Sequence, residues 1–264
     1  MPDASIVFVE TYRSQVSRWS ARGGYSTYAV VGGGPNAAIC DKAGFVYITQ
    51  NGGVVGPWRA EVAKSPGLQI ITPNGKVTDF VDAVDGQRLL APNDLVFGPD
   101  GRIYFTDPGG PFDAVGREQS GRIFVVDREG RGELLVETGR TYPNGIAFDR
   151  NGNLIWAESY SREIKKHESG GQLSKIGVLK GDSVPDGIKV TEEGKILICA
   201  CGSGLVEIMD ETGALGVALH AGEFPTNCAV SGDFLYVTDG GLPGDGRQAA
   251  PLGRLSRLRI PPSY

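Results

Sequence analysis

The sequence predicts an all-β protein, a six-bladed β-propeller with four-stranded antiparallel blades that forms a single domain over residues 1–264. One phrase, made of a proline, a polar residue, a short strand, a glycine turn and a second strand, occurs five times. The copies lie about 40 to 57 residues apart, which is close to the period of propeller blades. The 40 glycines and the 40% hydrophobic content suit many tight turns around a large core. The copies begin at Pro35, Pro92, Pro143, Pro185 and Pro225.

The N-terminal segment predicts an incomplete first blade. Residues 6–10 match the second strand of the phrase, and residues 16–19 and 25–31 supply two further strands, but no first strand precedes them. A lacking inner strand leaves backbone groups of its neighbour unpaired beside the channel, which is costly. We therefore expect that the natural protein begins upstream of Met1 or that this chain is truncated. Residues 253–260 are expected to close the sixth blade.

The longest spacings between phrases predict inserted loops. These loops carry Pro57-Trp58-Arg59 and the run from Pro108 to Phe112. Insertions in propellers usually decorate the face that binds ligands, so both loops are candidate substrate walls. Plain solvated loops are the alternative.

Charge and composition narrow the range of partners. The formal net charge is -5, which argues against nucleic acid. The chain has no apolar run of about 20 residues and no signal-peptide pattern. We therefore expect no membrane partner, a cytoplasmic location, and a monomer or weak homo-oligomer. The four cysteines, of which Cys199 and Cys201 share one face of a strand, are expected to be buried structural thiols.

The second residue of each phrase predicts a ring of oxygen donors around the channel. Amide, carboxylate and hydroxyl oxygens suit a hard divalent cation, and soft or imidazole ligands are not expected in this ring. An asparagine after proline can also simply form a turn at the start of its strand, and this alternative stays open. The ring consists of Asn36, Asn93, Asn144, Asp186 and Thr226.

Histidine-based catalysis is not indicated. The chain has two histidines, His167 and His220, and neither falls in the ring. There is also no G-x-S-x-G sequence, so a Ser-His-Asp triad is not expected.

Four segments occur in a fixed order along the chain. They are Pro92-Asn93-Asp94-Leu95, Tyr104-Phe105-Thr106-Asp107-Pro108, Pro143-Asn144-Gly145 and Pro185-Asp186-Gly187. Together they resemble the senescence marker protein/gluconolactonase/luciferin-regenerating enzyme family of six-bladed propellers. The resemblance covers nearly the whole chain, and it implies a metal-dependent lactonase that acts on sugar-acid lactones.

The resemblance also assigns residue roles. It places metal ligands at Asn144 and Asp186, a substrate contact at Asn93 and the general base at Asp94, for which a turn residue bonding its own blade is the alternative. Asn36 and Thr226 complete the expected substrate-binding set. The family's remaining metal ligand is a glutamate in a Glu-Gly-Pro motif, and its position falls before Met1.

The expected function is hydrolysis of a small polar lactone with one divalent cation. Calcium is the first candidate, and zinc, magnesium or manganese are alternatives. The cation would polarise the carbonyl while Asp94 activates water. Two other functions remain open, namely a non-catalytic propeller that binds a ligand or a protein, and a propeller hydrolase for other esters.

Overall fold

The computed structural model describes residues 1–110, 112, 119–241 and 253–260. In these residues the regular structure consists of β-strands and one short 3-10 turn, Thr11–Arg13. None of the described segments forms a helix of the length and apolar character needed to cross a membrane. The chain divides into two compact units, Met1–Arg140 and Thr141–Tyr264. In the described residues six antiparallel sheets of three or four strands follow one another along the chain, three in each unit, and the all-β six-bladed propeller is confirmed.

The first unit contains sheets one to three, in which consecutive strands pair as antiparallel neighbours. Sheet one comprises β1 (Ile6–Glu10), β2 (Gln15–Ser20) and β3 (Gly24–Val30). Sheet two comprises β4 (Pro35–Cys40), β5 (Val46–Gln50), β8 (Gly67–Ile71) and β9 (Val77–Val81). Sheet three comprises β12 (Leu95–Phe97), β13 (Ile103–Asp107), β14 (Gly121–Val126) and β15 (Gly132–Gly139). Two small hairpins pair β6 (Val54–Val55) with β7 (Trp58–Arg59) and β10 (Ala83–Val84) with β11 (Gln87–Arg88).

The second unit contains sheets four to six. Sheet four comprises β16 (Pro143–Phe148), β17 (Leu154–Glu158), β18 (Glu163–His167) and β19 (Leu173–Val178). Sheet five comprises β20 (Val184–Val190), β21 (Ile196–Cys201), β22 (Leu205–Met209) and β23 (Leu219–His220). Sheet six comprises β24 (Pro225–Ser231), β25 (Phe234–Asp239) and β26 (Arg254–Arg259). The expected closing strand of the last blade is therefore β26.

Sheet one has the three strands that the sequence predicts. Its edge strand β1 lies beside β4, the first strand of sheet two, and β4 in turn lies beside β12. In the second unit β16, β20 and β24 lie side by side in the same way. The first strand of each sheet thus packs against the first strand of the next one within each unit.

The hydrophobic core lies between successive sheets. The second strands Ile103–Asp107 and Leu154–Glu158 are buried at every position, so their side chains contribute to the core from both faces. Phe105 and Phe124 stack between sheets two and three with ring centroids 5.6 Å apart. Each such side chain contributes about 1.5–3 kcal/mol by leaving water.

The hairpin inside each phrase is held by an aspartate and a glycine. In sheet four the Asp149 carboxylate accepts the backbone N–H groups of Asn151 (2.9 Å) and Asn153 (2.8 Å). Gly152 has φ +78, in the left-handed region that glycine tolerates. The Asp-Arg-Asn-Gly sequence of the phrase therefore forms a tight turn between β16 and β17.

The predicted inserted loops have different outcomes. The Pro57-Trp58-Arg59 loop forms the β6–β7 hairpin, and its Trp58 ring packs edge-on against Tyr12 at 5.2 Å. In the second loop Phe112 is 58% exposed, whereas Pro111 lies outside the described residues. Their role as substrate walls stays a prediction.

Candidate functional site

The polar residues of the phrase lie on irregular positions of the first strands. The preceding proline pairs with the second strand, and the register then shifts before pairing resumes. This happens after Pro35, Pro143, Pro185 and Pro225, so Asn36, Asn144, Asp186 and Thr226 each fall in the shifted segment. Such bulges re-aim a side chain and are frequent beside active sites. The repeated proline and polar residue thus mark a repeated break in the ladder.

In the first unit the structure brings Asn36 and Asn93 together. The Asn36 side-chain amide, Nδ2, donates to the backbone carbonyl of Asn93 at 3.2 Å. The Thr49 hydroxyl donates to the same carbonyl at 2.5 Å. Asn93 precedes β12, and its own N–H donates to the Thr106 carbonyl at 2.8 Å. Two neighbouring sheets therefore hold the Asn93 backbone in place.

Asp94 is buried at the start of sheet three, with 2% of its surface exposed. Its Oδ1 accepts the N–H of Leu95 at 2.9 Å, and its own N–H donates to the Thr106 hydroxyl at 3.1 Å. The bond joins Asp94 to its own blade, as the turn alternative expects, but it reaches the next residue, whereas an Asx-turn bonds the residue two positions on. It also holds the carboxylate in one orientation, as a general base requires, so the role of Asp94 stays a prediction.

In the second unit Asn144 is buried and oriented by Ser159. The Asn144 Nδ2 donates to the Ser159 hydroxyl at 3.1 Å, and that hydroxyl donates to the Pro185 carbonyl at 2.7 Å. Because the amide nitrogen of Asn144 is the donor in this pair of hydrogen bonds, Oδ1 is the atom that a cation would bind. Ser159 thereby contacts Asn144 and also the residue that precedes Asp186.

Asp186 is contacted by a thiol. The Cys201 Sγ lies 3.1 Å from Asp186 Oδ2 and 3.1 Å from the Pro225 carbonyl oxygen. Burial, and then the nearby Asp186 charge, raise the pKa of the Cys201 thiol, so it is a protonated donor. The expectation of buried free cysteines is confirmed for Cys199, Cys201 and Cys228, whereas Cys40 is free but only partly buried. Soft ligands were not expected in the ring, and the contact between the Cys201 sulfur and Asp186 was not predicted.

Two glycines let the first strands of the second unit approach closely. A Cβ at Gly145 would lie 2.4 Å from the Asp186 carbonyl oxygen and 2.4 Å from the Ile188 nitrogen. A Cβ at Gly187 would lie 2.4 Å from Asn227 Cγ. The glycine after Asn144 and the glycine after Asp186 therefore leave room for the next strand's backbone or side chain.

Thr226 and its neighbour Asn227 complete the set in sheet six. The Thr226 hydroxyl donates to the Thr238 carbonyl at 3.1 Å and lies 3.0 Å from the Thr238 hydroxyl. Asn227 Oδ1 accepts the N–H of Cys228 at 2.8 Å, the same bond that Asp94 makes in sheet three. Asn227 is thus the counterpart of Asp94, one residue after the polar position of the phrase.

Ser159, Cys201 and Asn227 are the residues that the sequence analysis missed. A usable signal existed for two of them, because Asn144 to Ser159 and Asp186 to Cys201 are both separated by 15 residues. The offset spans a first strand, its hairpin and the second strand. In sheets four and five the residue at that offset contacts the polar residue of its own blade.

Aromatic side chains flank Asn144. The Tyr142 and Tyr160 rings lie 5.3 Å apart and are inclined by 44°. Tyr142 has φ +57, an unusual backbone conformation for a residue with a Cβ. This left-handed backbone conformation lies directly before Pro143 and Asn144.

The donor chemistry of Asn144 and Asp186 fits a divalent cation. Both residues offer oxygen, each is held by a hydrogen bond, and their strands β16 and β20 are neighbours. Across the described part of the chain there is no group of three or more histidine, cysteine, aspartate and glutamate side chains that could hold a metal ion. A cation here would therefore rely on amide oxygen and water beside one carboxylate. The histidines lie elsewhere, on β18 and β23.

The fold and these oxygen donors define a β-propeller whose first strands carry polar residues on bulges. The sequence model of the family described as SMP-30/Gluconolactonase/LRE-like region matches residues 1–240. The chain belongs to this family, as its Asn-Gly and Asp-Gly motifs predict.

Individual relatives are distant. A gluconolactonase from Zymomonas mobilis subsp. mobilis is 22% identical over 262 residues, which cover 88% of this chain and 72% of that protein. Protein strictosidine synthase-like 13 from Arabidopsis thaliana is 26% identical over 156 residues, or 54% of this chain, and the match spans only 39% of that protein's length. A solved calcium-binding protein, regucalcin from Agrobacterium tumefaciens, has a TM-score of 0.69 at 18% identity, with 90% of this chain and 79% of that chain covered. At this identity the structural likeness shows the fold.

Proposed function

We propose that the protein is a divalent-cation-dependent hydrolase that opens a small polar lactone of the sugar-acid type. The observation that carries the proposal is the pair Asn144 and Asp186, two oxygen ligands on bulges of the neighbouring strands β16 and β20. The family membership and the similarity to a gluconolactonase support the same reaction class. A lactone and water then give the open hydroxy acid.

Asn144 Oδ1 and the Asp186 carboxylate would hold the cation, with water as further ligands. When bound, the cation would polarise a carbonyl oxygen and stabilise the negative charge that develops on it. Calcium is the first candidate, since a solved structure with the same fold is described as calcium-binding. Zinc, magnesium and manganese also accept oxygen ligands and are the alternatives.

Asp94 is proposed as the general base that takes a proton from the attacking water. Asp94 is a buried residue and its carboxylate accepts the Leu95 N–H, which suits a base that must be held in one orientation. The ring oxygen leaves the carbonyl carbon and takes up a proton. Asn93, Asn36 and Thr226 are proposed as substrate contacts, and the hydrogen bond from Asn36 to the Asn93 carbonyl supports a shared role for the first two.

The test is proton release from a sugar-acid lactone, recorded at constant pH with the cation removed by a chelator and then restored as calcium, zinc or manganese. We expect the restored cation to raise the rate of lactone opening. Asp186→Ala should lower this rate by about 10- to 100-fold or more, the range that changes around a metal site cost. Asp182→Ala is the matched control, because Asp182 is an exposed acid four residues away on the same approach to β20.

A second variant separates binding from chemistry. Asp94→Asn should lower kcat by about 10²- to 10⁴-fold while the cation affinity stays unchanged. A wild type that binds the cation but opens no lactone would contradict the proposal and favour the ligand-binding propeller. Turnover restricted to other esters would favour the third function.

A further inference from the structure

We propose that Cys201 is a positioning residue that orients the Asp186 carboxylate for cation binding, an inference that rests on the proposed cation site. The thiol lies 3.1 Å from Asp186 Oδ2 on the second strand of the same sheet. Cys201 is 6% exposed, so bulk water does not replace this contact. It therefore acts on the cation through Asp186 and does not bind the cation itself.

The same arrangement occurs twice in the second unit, once with a hydroxyl and once with a thiol. In sheet four Ser159 accepts the Asn144 amide and donates to the Pro185 carbonyl. In sheet five Cys201 contacts Asp186 and the Pro225 carbonyl. In both sheets the residue that contacts the proposed ligand also lies against the carbonyl of a proline in the next first strand. The repetition indicates a built support for the two ligands, because an isolated buried thiol would not reproduce it.

The thiol has one proton and two acceptors at equal distance. The Asp186 carboxylate is the stronger acceptor because it is charged, so the S–H bond is directed to it. This bond holds one carboxylate oxygen and thereby fixes the direction of the other. Partners of this kind around metal ligands set both orientation and affinity.

The expected effects separate the donor from the volume of the side chain. Cys201→Ala and Cys201→Val both lack a donor, and each should weaken the cation affinity about tenfold. Cys201→Ser restores an O–H donor and should return the affinity to within about threefold of the wild type. Since valine approximately keeps the buried volume, it tests the inference even if the alanine variant fails to fold.

Cys199→Ala is the matched control. Cys199 lies two residues earlier on β21 and is completely buried, and it interacts with the Cys228 thiol. Its truncation should lower the stability of the fold by an amount similar to that of Cys201→Ala, while leaving the cation affinity unchanged.

The experiment is calorimetric titration of the full chain and these variants with calcium, alongside thermal unfolding without cation and an ultraviolet spectrum with cadmium. Affinity lost in Cys201→Ala and Cys201→Val, restored in Cys201→Ser and kept in Cys199→Ala is the expected result. Equal affinity in all variants would overturn the inference but leave the proposed cation site standing. A cadmium–thiolate absorption band that disappears in Cys201→Ala would show that Cys201 is a direct ligand, which also overturns it. A wild type without cation binding overturns both the inference and the proposed function.

Discussion

A methyl group at Gly145 tests how closely the two proposed ligand strands pack. The substitution Gly145→Ala places a Cβ 2.4 Å from the Asp186 carbonyl oxygen, 2.4 Å from the Ile188 nitrogen and 2.7 Å from the Gly187 carbonyl carbon. All three atoms belong to the backbone of β20, so none of them can rotate away. The strands β16 and β20 must therefore separate.

The size of the effect follows from these distances. Ordinary contacts of a Cβ begin at 3.4 Å, so the backbone of β20 must move by about 1 Å. Overpacking of this kind costs about 1–3 kcal/mol. For a chain of this size each kcal/mol lowers Tm by about 2–4 °C, so a fall of roughly 2–12 °C is expected. Because Asp186 moves with its strand, the cation affinity should fall as well.

The assay is thermal unfolding followed by circular dichroism, with calcium titration of the folded variant. Gly170→Ala is the control, because a Cβ at Gly170 has no atom within 4 Å and the backbone is not left-handed. It should change Tm by less than about 1 °C. A Gly145→Ala variant as stable as Gly170→Ala would refute the close approach of β16 and β20.

Two further predictions concern charged groups in the first unit. Arg122→Leu leaves the buried Asp107 carboxylate without its ion pair at 2.8 Å, and it should lower the free energy of unfolding in urea by about 3–5 kcal/mol. Arg88→Ala breaks an exposed ion pair with Asp82 and should lower it by about 1 kcal/mol or less. Equal losses would contradict the difference between the buried and the exposed ion pair. Desolvation alone would raise the pKa of Glu10, but hydrogen bonds and a nearby arginine outweigh desolvation and lower the pKa in the folded protein. The ionised Glu10 therefore stabilises the fold above the unfolded pKa of about 4.3, and this stabilisation is lost as the pH falls through the folded pKa. Glu10→Gln should therefore flatten the fall in unfolding free energy between about pH 5 and pH 3, and an unchanged slope would contradict it. The groups that lower the Glu10 pKa are Ser17, Tyr25, Gln15 and Arg13.

The blade repeat could be predicted from the sequence because its signals are local. A proline and a polar residue start each first strand, and an aspartate and a glycine form the hairpin, as at Asp149 and Gly152. These residues form their contacts within about fifteen residues of the chain. Their repetition was enough to predict the sheets, the incomplete first blade and the phase of Asn144 and Asp186.

The supports of the site depend on contacts across strands, which local patterns do not encode. The contact between the Cys201 sulfur and Asp186 depends on the pairing of β20 with β21, so the 15-residue offset between the two residues can be interpreted only once that pairing is known. Likewise Gly145 reads as a turn glycine, yet the structure shows it packed against the next sheet. Asn227 became the counterpart of Asp94 only when their matching backbone bonds were visible.

Cation binding by the isosteric variant Asp186→Asn shows directly whether the Asp186 carboxylate holds the cation. The change removes the one carboxylate from the proposed ligand pair but keeps an oxygen beside the Cys201 thiol, so it isolates the charge that the cation needs. Calorimetric titration with calcium should show one cation per chain for the wild type and for Asp182→Ala. We predict that Asp186→Asn loses at least about tenfold in affinity. An affinity equal to that of the wild type would contradict this prediction and show that the Asp186 carboxylate does not hold the cation.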